Sequence, residues 1–226
     1  VVFAPADAEP YGDETVLAWE GGFKSEFAGG LARLNGAIFY MEWNDFQAQI
    51  GRTGGEFPVD NAGDAEILGA ELELEWYPLE GLMLRAGFGW LDTEIVETNP
   101  DLAIDLDGNE LHDAPRYEWT GVARYSHPLP WLALVGTAQL DWSWQDDIFF
   151  EVKNVPPASQ AAYGLLNARV SVADGGDRWQ VAIWGRNLTE EVYATENFDF
   201  TGTNGTTVRI AGYPREVGVS LSYRWE

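Results

Sequence analysis

Five aromatic side chains lie in acid-rich stretches of the sequence that otherwise read as polar loops. They are Phe149, Phe150, Tyr193, Phe198 and Phe200, and two further candidates, Trp184 and Arg186, lie in a less regular apolar stretch just before Tyr193. Aromatic rings and an arginine side chain can together stack on a small molecule and donate hydrogen bonds to it. These seven are the candidate ligand-binding residues. The alternative is that they pack one loop against another.

A row of three carboxylates, Glu71, Glu73 and Glu75, is the first candidate for a metal site. Residues two apart on one face of a strand are separated by about 6.5–7 Å, so these carboxylates would line a wet surface without meeting at one ion. Pairing with arginine or lysine on a neighbouring element is the simpler interpretation.

The acidic segment 101–109 is the second candidate. An EF-hand loop needs acidic or amide side chains at positions 1, 3 and 5, glycine at position 6 and glutamate at position 12. With Gly108 at position 6, positions 1 and 12 are Ala103 and Ala114, so the calcium template fails. The sequence predicts no metal site and no cofactor.

Catalysis and nucleic-acid binding find no support in the sequence. There are only two histidines, His112 and His127, no cysteine, and no recognisable nucleophile–base motif, so no enzyme activity is predicted. The formal net charge of −24 leaves no basic surface to neutralise phosphates, which excludes nucleic acid as a partner.

Strict alternation of apolar and polar residues indicates the elements that position the candidate ligand-binding residues. In the segment 216–225 the apolar residues Val217, Val219, Leu221, Tyr223 and Trp225 alternate with small or polar ones, which is typical of a strand with one apolar and one wet face. The same pattern recurs through the chain and predicts about nine long antiparallel strands in an all-β fold. Four tight turns containing glycine or proline alternate with four long polar loops, taken as 51–66, 92–113, 145–162 and 189–212.

The length of the strands and their aromatic ends indicate a membrane wall. From Trp131 to Trp142 the chain spans about 36 Å at ~3.3 Å per residue. A tilt of ~45° projects this to about 26 Å, close to the ~25 Å apolar band between the two aromatic girdles of a transmembrane β-barrel. The four long loops hold 19 acidic residues and three basic ones, whereas most other basic residues lie near the short turns. Short periplasmic turns and long extracellular loops are typical of such barrels.

Two other architectures would also account for part of this pattern. Aromatic residues scattered through the core of a soluble β protein would also alternate along the strands. A repeat of about 50 residues resembles the period of a β-propeller binding module, although each blade of a propeller needs four short strands and this period holds two long ones.

Several segments resemble the TonB-dependent outer-membrane receptor family. Residues 178–193, RWQVAIWGRNLTEEVY, resemble the signature W-G-x-N-L-T-(D/E)-x-x-Y, and residues 214–225, PREVGVSLSYRW, resemble the last strand, P-R-x-x-G-V-x-L-x-Y-x-F. The opening stretches TVLAWEGGFKSEF and LNGAIFYMEWNDFQAQI are similar to the hairpin Y-E-x-G-x-K-S-E-F … A-x-F-x-x-x-x-x-D-x-Q. The segment LDGNELHDAPR is similar to G-N-x-L-x-x-A-P.

The resemblance implies that residues 1–226 are the C-terminal portion of a 22-stranded barrel, with the plug domain and the earlier strands lying outside this sequence. It implies a monomer in the outer membrane of a Gram-negative bacterium, in contact with outer-membrane lipid and, through the missing plug, with the TonB complex. The implied function is active uptake of a scarce ligand, by default a metal chelate such as a ferric siderophore, with cobalamin, haem and oligosaccharides as alternatives. The alternative within the same fold is a passive porin or an adhesion barrel.

Overall fold

A long antiparallel sheet and two small hairpins make up the fold. The computed structural model describes residues 11–51, 58–176 and 178–225. Within these residues the strands are β1 (Thr15–Phe27), β2 (Ala32–Gln49), β3 (Val59–Leu79), β4 (Leu82–Thr98), β5 (Tyr117–Leu129), β6 (Leu134–Gln145), β7 (Ile148–Phe149), β8 (Ser159–Gln160), β9 (Tyr163–Asp174), β10 (Trp179–Arg186), β11 (Ala194–Phe200), β12 (Thr206–Ala211) and β13 (Glu216–Tyr223).

The strands of the main sheet follow one another in chain order. Nine strands pair antiparallel in the order β1-β2-β3-β4-β5-β6-β9-β10-β13, and the hairpins β7/β8 and β11/β12 lie within two of the long connections. The predicted meander of about nine long strands is confirmed. A single nine-stranded sheet excludes the propeller alternative, because a propeller divides its strands into separate four-stranded blades.

Helical structure is sparse over the same residues. It consists of an α-helix at Thr201–Asn204 and 3₁₀ turns at Ala28–Gly30, Pro130–Leu132 and Pro156–Ala158. In the part of the chain that the structure describes, no helix has the length and apolar character that crossing a membrane requires.

The turn between β3 and β4 shows why glycine is needed in a short turn. Gly81 has a φ of 81°, and a Cβ atom there would lie 2.1 Å from the carbonyl oxygen of Ser126 on β5. Gly81 therefore both reverses the chain and lets the neighbouring strand approach closely.

One face of the sheet is apolar and uncovered by protein. Pairing places Trp19 opposite Tyr40 and Tyr40 opposite Leu68, and this face continues across all nine strands to Leu221. Ile38 is 66% exposed and Leu221 is 74% exposed. An apolar face of this extent in contact with water would be very unfavourable, and lipid is the solvent that suits it.

The opposite face is polar over the same stretch. Glu73 lies opposite Asn35, Arg169 lies opposite Gln139, and Gln180 lies opposite Ser222. The two faces together match one wall of a transmembrane barrel, with lipid outside and a wet lumen inside.

The polarity of the faces reverses at the loop end of β2, β3 and β4. We call residues 32–40, 68–76 and 84–90 the membrane layer, and residues 41–49, 59–67 and 91–98 the upper layer. In the upper layer the lumen-side residues pack with residues of the connections in the main apolar cluster, whose buried members are Phe46, Ala48, Ile50, Ala62, Ala65, Ile95, Leu106, Leu111 and Val152. The outward positions of the upper layer are acidic, with Glu42 paired to Glu66 and Glu66 paired to Glu94.

The upper layer corrects two of the predicted loop boundaries. The predicted loops 51–66 and 92–113 include residues 59–66 and 92–98, which are strand. Of the first loop, residues 52–57 lie outside the described residues. The strands continue because the segment 99–116 folds over their lumen side and buries Leu106 and Leu111 there. A bulge at Asp45, with φ 52°, shifts the register so that Phe46 points into this cluster.

Candidate functional site

The candidate site is the set of long connections at one end of the sheet. Three of them are well described: 99–116, between β4 and β5, 146–162, between β6 and β9, and 187–215, between β10 and β13. Segment 146–162 carries hairpin β7/β8 and lies between the other two, so it forms contacts with both.

Backbone-directed hydrogen bonds join segment 146–162 to segment 99–116. Asn154 Oδ1 accepts from the N–H of Glu110 at 2.6 Å, and Asn154 Nδ2 donates to the Glu110 carbonyl at 2.9 Å. Asn109 Nδ2 donates to the Val152 carbonyl at 2.9 Å, and the Asp113 N–H donates to the Phe149 carbonyl at 2.9 Å. The two segments are therefore held by one bond between backbone groups and by three bonds between asparagine side chains and the backbone.

A second set of bonds joins segment 146–162 to hairpin β11/β12. The Asp199 N–H donates to Glu151 Oε1 at 2.8 Å, and the Ala194 N–H donates to Gln160 Oε1 at 2.8 Å. Asn197, which is 1% exposed, donates through Nδ2 to the carbonyl of Pro157. The two short hairpins are thus joined by side chains that pair with backbone groups, as a neighbouring strand would; these are Glu151, Gln160 and Asn197.

Asn187 closes the base of connection 187–215. Its backbone is left-handed, with φ 48°, and its side chain is buried. Asn187 Nδ2 donates to the carbonyls of Glu191 and Tyr213, while Oδ1 accepts from the Glu191 N–H. These three bonds give Asn187 a structural role at the top of the strand.

The predicted aromatics of the loops fall into different environments. Phe150 is buried in a small cluster with Ile148 and Ala194, and Phe149 is half-buried on β7. Tyr193 stacks on Tyr163, with ring centroids 4.6 Å apart. Phe150 therefore holds hairpins together, and Tyr193 packs against the end of β9.

The remaining loop aromatics, Phe198 and Phe200, lie on one face of β11. They pair with Val208 and Thr206 of β12 and are half-buried. Residues two apart on a strand project to the same side, so both rings face away from the side on which Asn197 is buried.

Trp184 and Arg186 lie on the lumen face of β10, apart from the loop aromatics. The Arg186 guanidinium carbon is 5.3 Å from the centroid of the Trp184 ring, within the range of a cation–π contact. Arg186 pairs with Glu216 across the sheet, and Trp184 pairs with Arg169. The structure therefore brings these two predicted residues together and presents the guanidinium to the wet side of the wall.

The acidic residues of the two candidate metal sites form ion pairs and hydrogen bonds with other residues. Arg85 Nη2 lies 2.6 Å from Glu75 Oε2, and Asn35 donates to Glu73 at 3.3 Å. Asp107 accepts from both the N–H and the hydroxyl of Thr98, which shapes the turn after β4. Among residues 11–51, 58–176 and 178–225, no group of three or more His, Asp or Glu side chains is arranged to hold a metal ion.

Two loop groups have shifted pKa values. Burial raises the pKa of the Glu151 carboxyl, and the hydrogen bond from Asp199 and the charge of Lys153 oppose that rise. The hydrogen bond to Asp113 raises the pKa of His112, a rise that burial partly offsets. Glu151 is therefore a partly desolvated carboxylate at the junction of two connections.

Sequence reasoning missed the residues that join the connections, above all Asn154, Glu151 and Gln160. Each is a polar residue in a polar stretch, and its partner is between 34 and 48 positions away in the chain. No local signal marks such a residue, except that asparagine is frequent at left-handed positions such as Asn154, with φ 50°.

The nine-stranded sheet matches a portion of a transmembrane β-barrel whose long connections cluster at one end. A family model described as "TonB dependent receptor-like, beta-barrel" matches residues 3–188. The chain belongs to this family, as the sequence motifs indicate.

Solved structures with the same fold include several iron receptors. The ferric yersiniabactin uptake receptor FyuA from Yersinia pestis superposes with a TM-score of 0.79 at 22% identity, covering 98% of this chain and 32% of that one. BauA, the ferric preacinetobactin receptor from Acinetobacter baumannii, gives 0.68 at 19%, covering 92% and 29%. The ferric citrate transporter FecA gives 0.68 at 18%, covering 92% and 31%. The chain spans about a third of the length of these structures.

Proposed function

We propose that this chain forms part of the wall and of the extracellular loops of an outer-membrane receptor that takes up a scarce ligand by TonB-dependent transport. The observation that carries the proposal is a wall with a lipid-facing apolar side that continues, at one end only, into a packed cluster of acidic connections. A wall of this kind exposes the loops to the medium and its polar face to a lumen.

The nine strands are proposed to be a portion of a larger barrel. Each of the three solved structures is about three times the length of this chain, and strands β1 and β13 each pair on one side only within the described residues. In this proposal the remaining strands, and a plug that contacts TonB, belong to the same receptor, which is a monomer in the outer membrane of a Gram-negative bacterium.

The proposed ligand is a ferric siderophore or a similar iron chelate. The three structural neighbours are named as receptors or transporters of ferric complexes, which supports this class. Arg186 on Trp184 offers a donor and an aromatic surface on the lumen side, and Phe149, Phe198 and Phe200 are the half-buried aromatics of the loop cluster. The acidic loops favour neutral or cationic complexes over strongly anionic ones.

Uptake assays test the proposal directly. Cells that express the receptor containing this chain are given ⁵⁵Fe as ferrioxamine B, ferric citrate or a ferric catecholate, and ⁵⁷Co-labelled cobalamin serves as a ligand of another class. We expect uptake of at least one ferric chelate, and we expect it to disappear in an otherwise identical strain that lacks TonB.

Site residues are tested in the same assay. Arg186→Ala should raise the KM for the transported chelate about tenfold, equivalent to ~1.4 kcal/mol, through loss of a charged contact. Arg178→Ala, at the short-turn end of the sheet and paired with Asp174, is the matched control and should leave the KM unchanged. Uptake that persists without TonB would favour the passive porin, and absence of all uptake would reject transport of these ligands.

A further inference from the structure

Segment 146–162 contacts each of the other long connections of the described chain. It binds segment 99–116 through Asn154 and Phe149, and hairpin β11/β12 through Glu151 and Gln160. Lys153 Nζ also donates to the carbonyl of Gly51, two residues beyond the end of β2. We call segment 146–162 the hub segment, because two neighbouring connections meet through it.

Asn154 lies at the point where the hub segment is most closely tied to segment 99–116. Both ends of its amide bind the backbone of one residue, Glu110, as a neighbouring strand would. The same Nδ2 lies 3.3 Å from the Glu151 carbonyl, and the Asn154 N–H donates to that carbonyl at 3.1 Å. One side chain therefore links the turn that carries Glu151 to segment 99–116.

The position requires a residue that accepts a left-handed backbone and offers both a donor and an acceptor. Asparagine meets both demands at φ 50°, since its short amide tolerates this region better than other side chains do. Two residues before Asn154, Val152 is 1% exposed within the main apolar cluster. The hub segment is thus anchored by packing at Val152 and oriented by hydrogen bonding at Asn154.

We infer that Asn154 is a positioning residue that makes segment 99–116, the hub segment and hairpin β11/β12 move as one unit. Asn154 fixes the turn that carries Glu151. Glu151 accepts a hydrogen bond from the Asp199 N–H and so positions the hairpin that carries Phe198 and Phe200. The effect on ligand binding rests on the proposed function, whereas the mechanical coupling of the three connections does not.

Hydrogen–deuterium exchange in the full receptor tests the coupling without any ligand. Asn154→Gly keeps the left-handed backbone and removes the amide. We expect the Glu110 amide to exchange roughly tenfold to a hundredfold faster, because two hydrogen bonds are lost. The amides of Ala194 and Asp199, which Asn154 does not contact, should also exchange faster, and those of β5 and β6 should not change.

Two further variants separate coupling from general loss of structure. Asn154→Asp keeps the acceptor for the Glu110 N–H and loses the donor, so it should give an intermediate effect at Glu110. Asn204→Ala removes an exposed asparagine whose side chain accepts hydrogen bonds from the N–H and the hydroxyl of Thr206, and it should leave the Ala194 and Asp199 amides unchanged. Faster exchange at Glu110 alone, with Ala194 and Asp199 as in the wild type, would overturn the inference.

The effect of Asn154 on ligand binding is tested in the uptake assay with the ⁵⁵Fe chelates named above. Asn154→Gly should raise the KM of the transported chelate several-fold with an unchanged maximal rate, since the pre-organised loop surface is lost while the transport step is kept. An unchanged KM together with faster exchange at Asp199 would reject the positioning role but keep the coupling. Failure of wild-type uptake would instead reject the proposed transport function and leave the exchange result standing.

Discussion

Strands β2, β3 and β4 pass through two layers with opposite polarity. In the membrane layer Ile38 and Leu72 face outward and are largely exposed, while Glu71 and Glu73 face the lumen. In the upper layer Glu66 and Glu94 face outward, and Ala65 and Ile95 are buried on the lumen side. The strands do not break between the layers, so only the surroundings of each face have changed.

The reversal follows from what each face meets. The wall of a transmembrane barrel meets lipid outside and a wet lumen inside, and the membrane layer has its apolar residues on the outside, as such surroundings favour. In the upper layer the outward residues are acidic, and the lumen side is covered by segment 99–116 through Leu106 and Leu111. The upper layer therefore has the polarity of a soluble protein, with acidic residues outside and a buried apolar cluster inside. Burial of that cluster stabilises it.

The largest expected effect distinguishes the two layers within one strand. Phe46→Ala removes a ring that is 1% exposed in the upper cluster and should cost about 3–5 kcal/mol. Phe39→Ala is the matched control, because Phe39 is the same residue type on the lumen side of the membrane layer and is only half-buried. Hydrogen–deuterium exchange should show faster exchange in residues 91–98 and 99–116 for Phe46→Ala alone. Equal loosening of β5 and β6 would contradict the division into layers.

The next effect tests the lipid side of the membrane layer. Leu72 lies midway along the outward face of β3, and Leu72→Arg should cost about 2–4 kcal/mol, as for a cation near the middle of a bilayer. Glu71→Arg places the same side chain one residue away on the lumen face and should cost much less. The measurement is guanidinium unfolding of the receptor in phosphatidylcholine vesicles. Similar losses for the two variants would mean that the apolar face does not meet lipid.

The membrane layer could be predicted from the sequence because its cause is local. Alternation fixes which residues share a face, so the nine strands and their faces agree with the structure. One strand end differs from the prediction: Trp131, counted as a strand residue in the span to Trp142, lies in the 3₁₀ turn Pro130–Leu132, and β6 begins at Leu134. The upper layer could not be predicted in the same way. Its outward residues are acidic, its inward ones include small residues such as Ala48, Ala62 and Ala65, and their partners lie in another connection.

The candidate site was predictable in outline and not in detail. The sequence indicates that aromatics in acidic loops matter, and the structure separates Trp184 and Arg186 on the lumen wall from Phe150 in a packed cluster. That difference depends on the short hairpins β7/β8 and β11/β12. These hairpins are stabilised by bonds between distant residues, such as that from the Ala194 N–H to Gln160, which no periodic pattern encodes.

The smallest expected effect concerns pH and only the loop end of the molecule. Because the pKa of Glu151 is raised on folding, the folded loops bind its proton more tightly than the unfolded chain does. This contribution to stability is fully present below the ordinary glutamate pKa and is lost as the pH rises through the folded-state value. The raised pKa of His112 changes stability with pH in the same direction, over a higher pH range.

Glu151→Gln should therefore remove the acidic part of the pH dependence while keeping the Oε1 acceptor for the Asp199 N–H. Exchange at the Asp199 amide, corrected for the intrinsic effect of pH, should become slower in wild type as the pH falls through the acidic range and should be flat over that range in the variant. His112→Asn, which leaves Glu151 intact, separates the second titration. Lys153, Asp199 and Glu196 lie close to position 151, and neither substitution alters them. A pH profile at Asp199 that Glu151→Gln leaves unchanged would mean that this carboxyl does not set the protonation-linked stability of the hairpin contact.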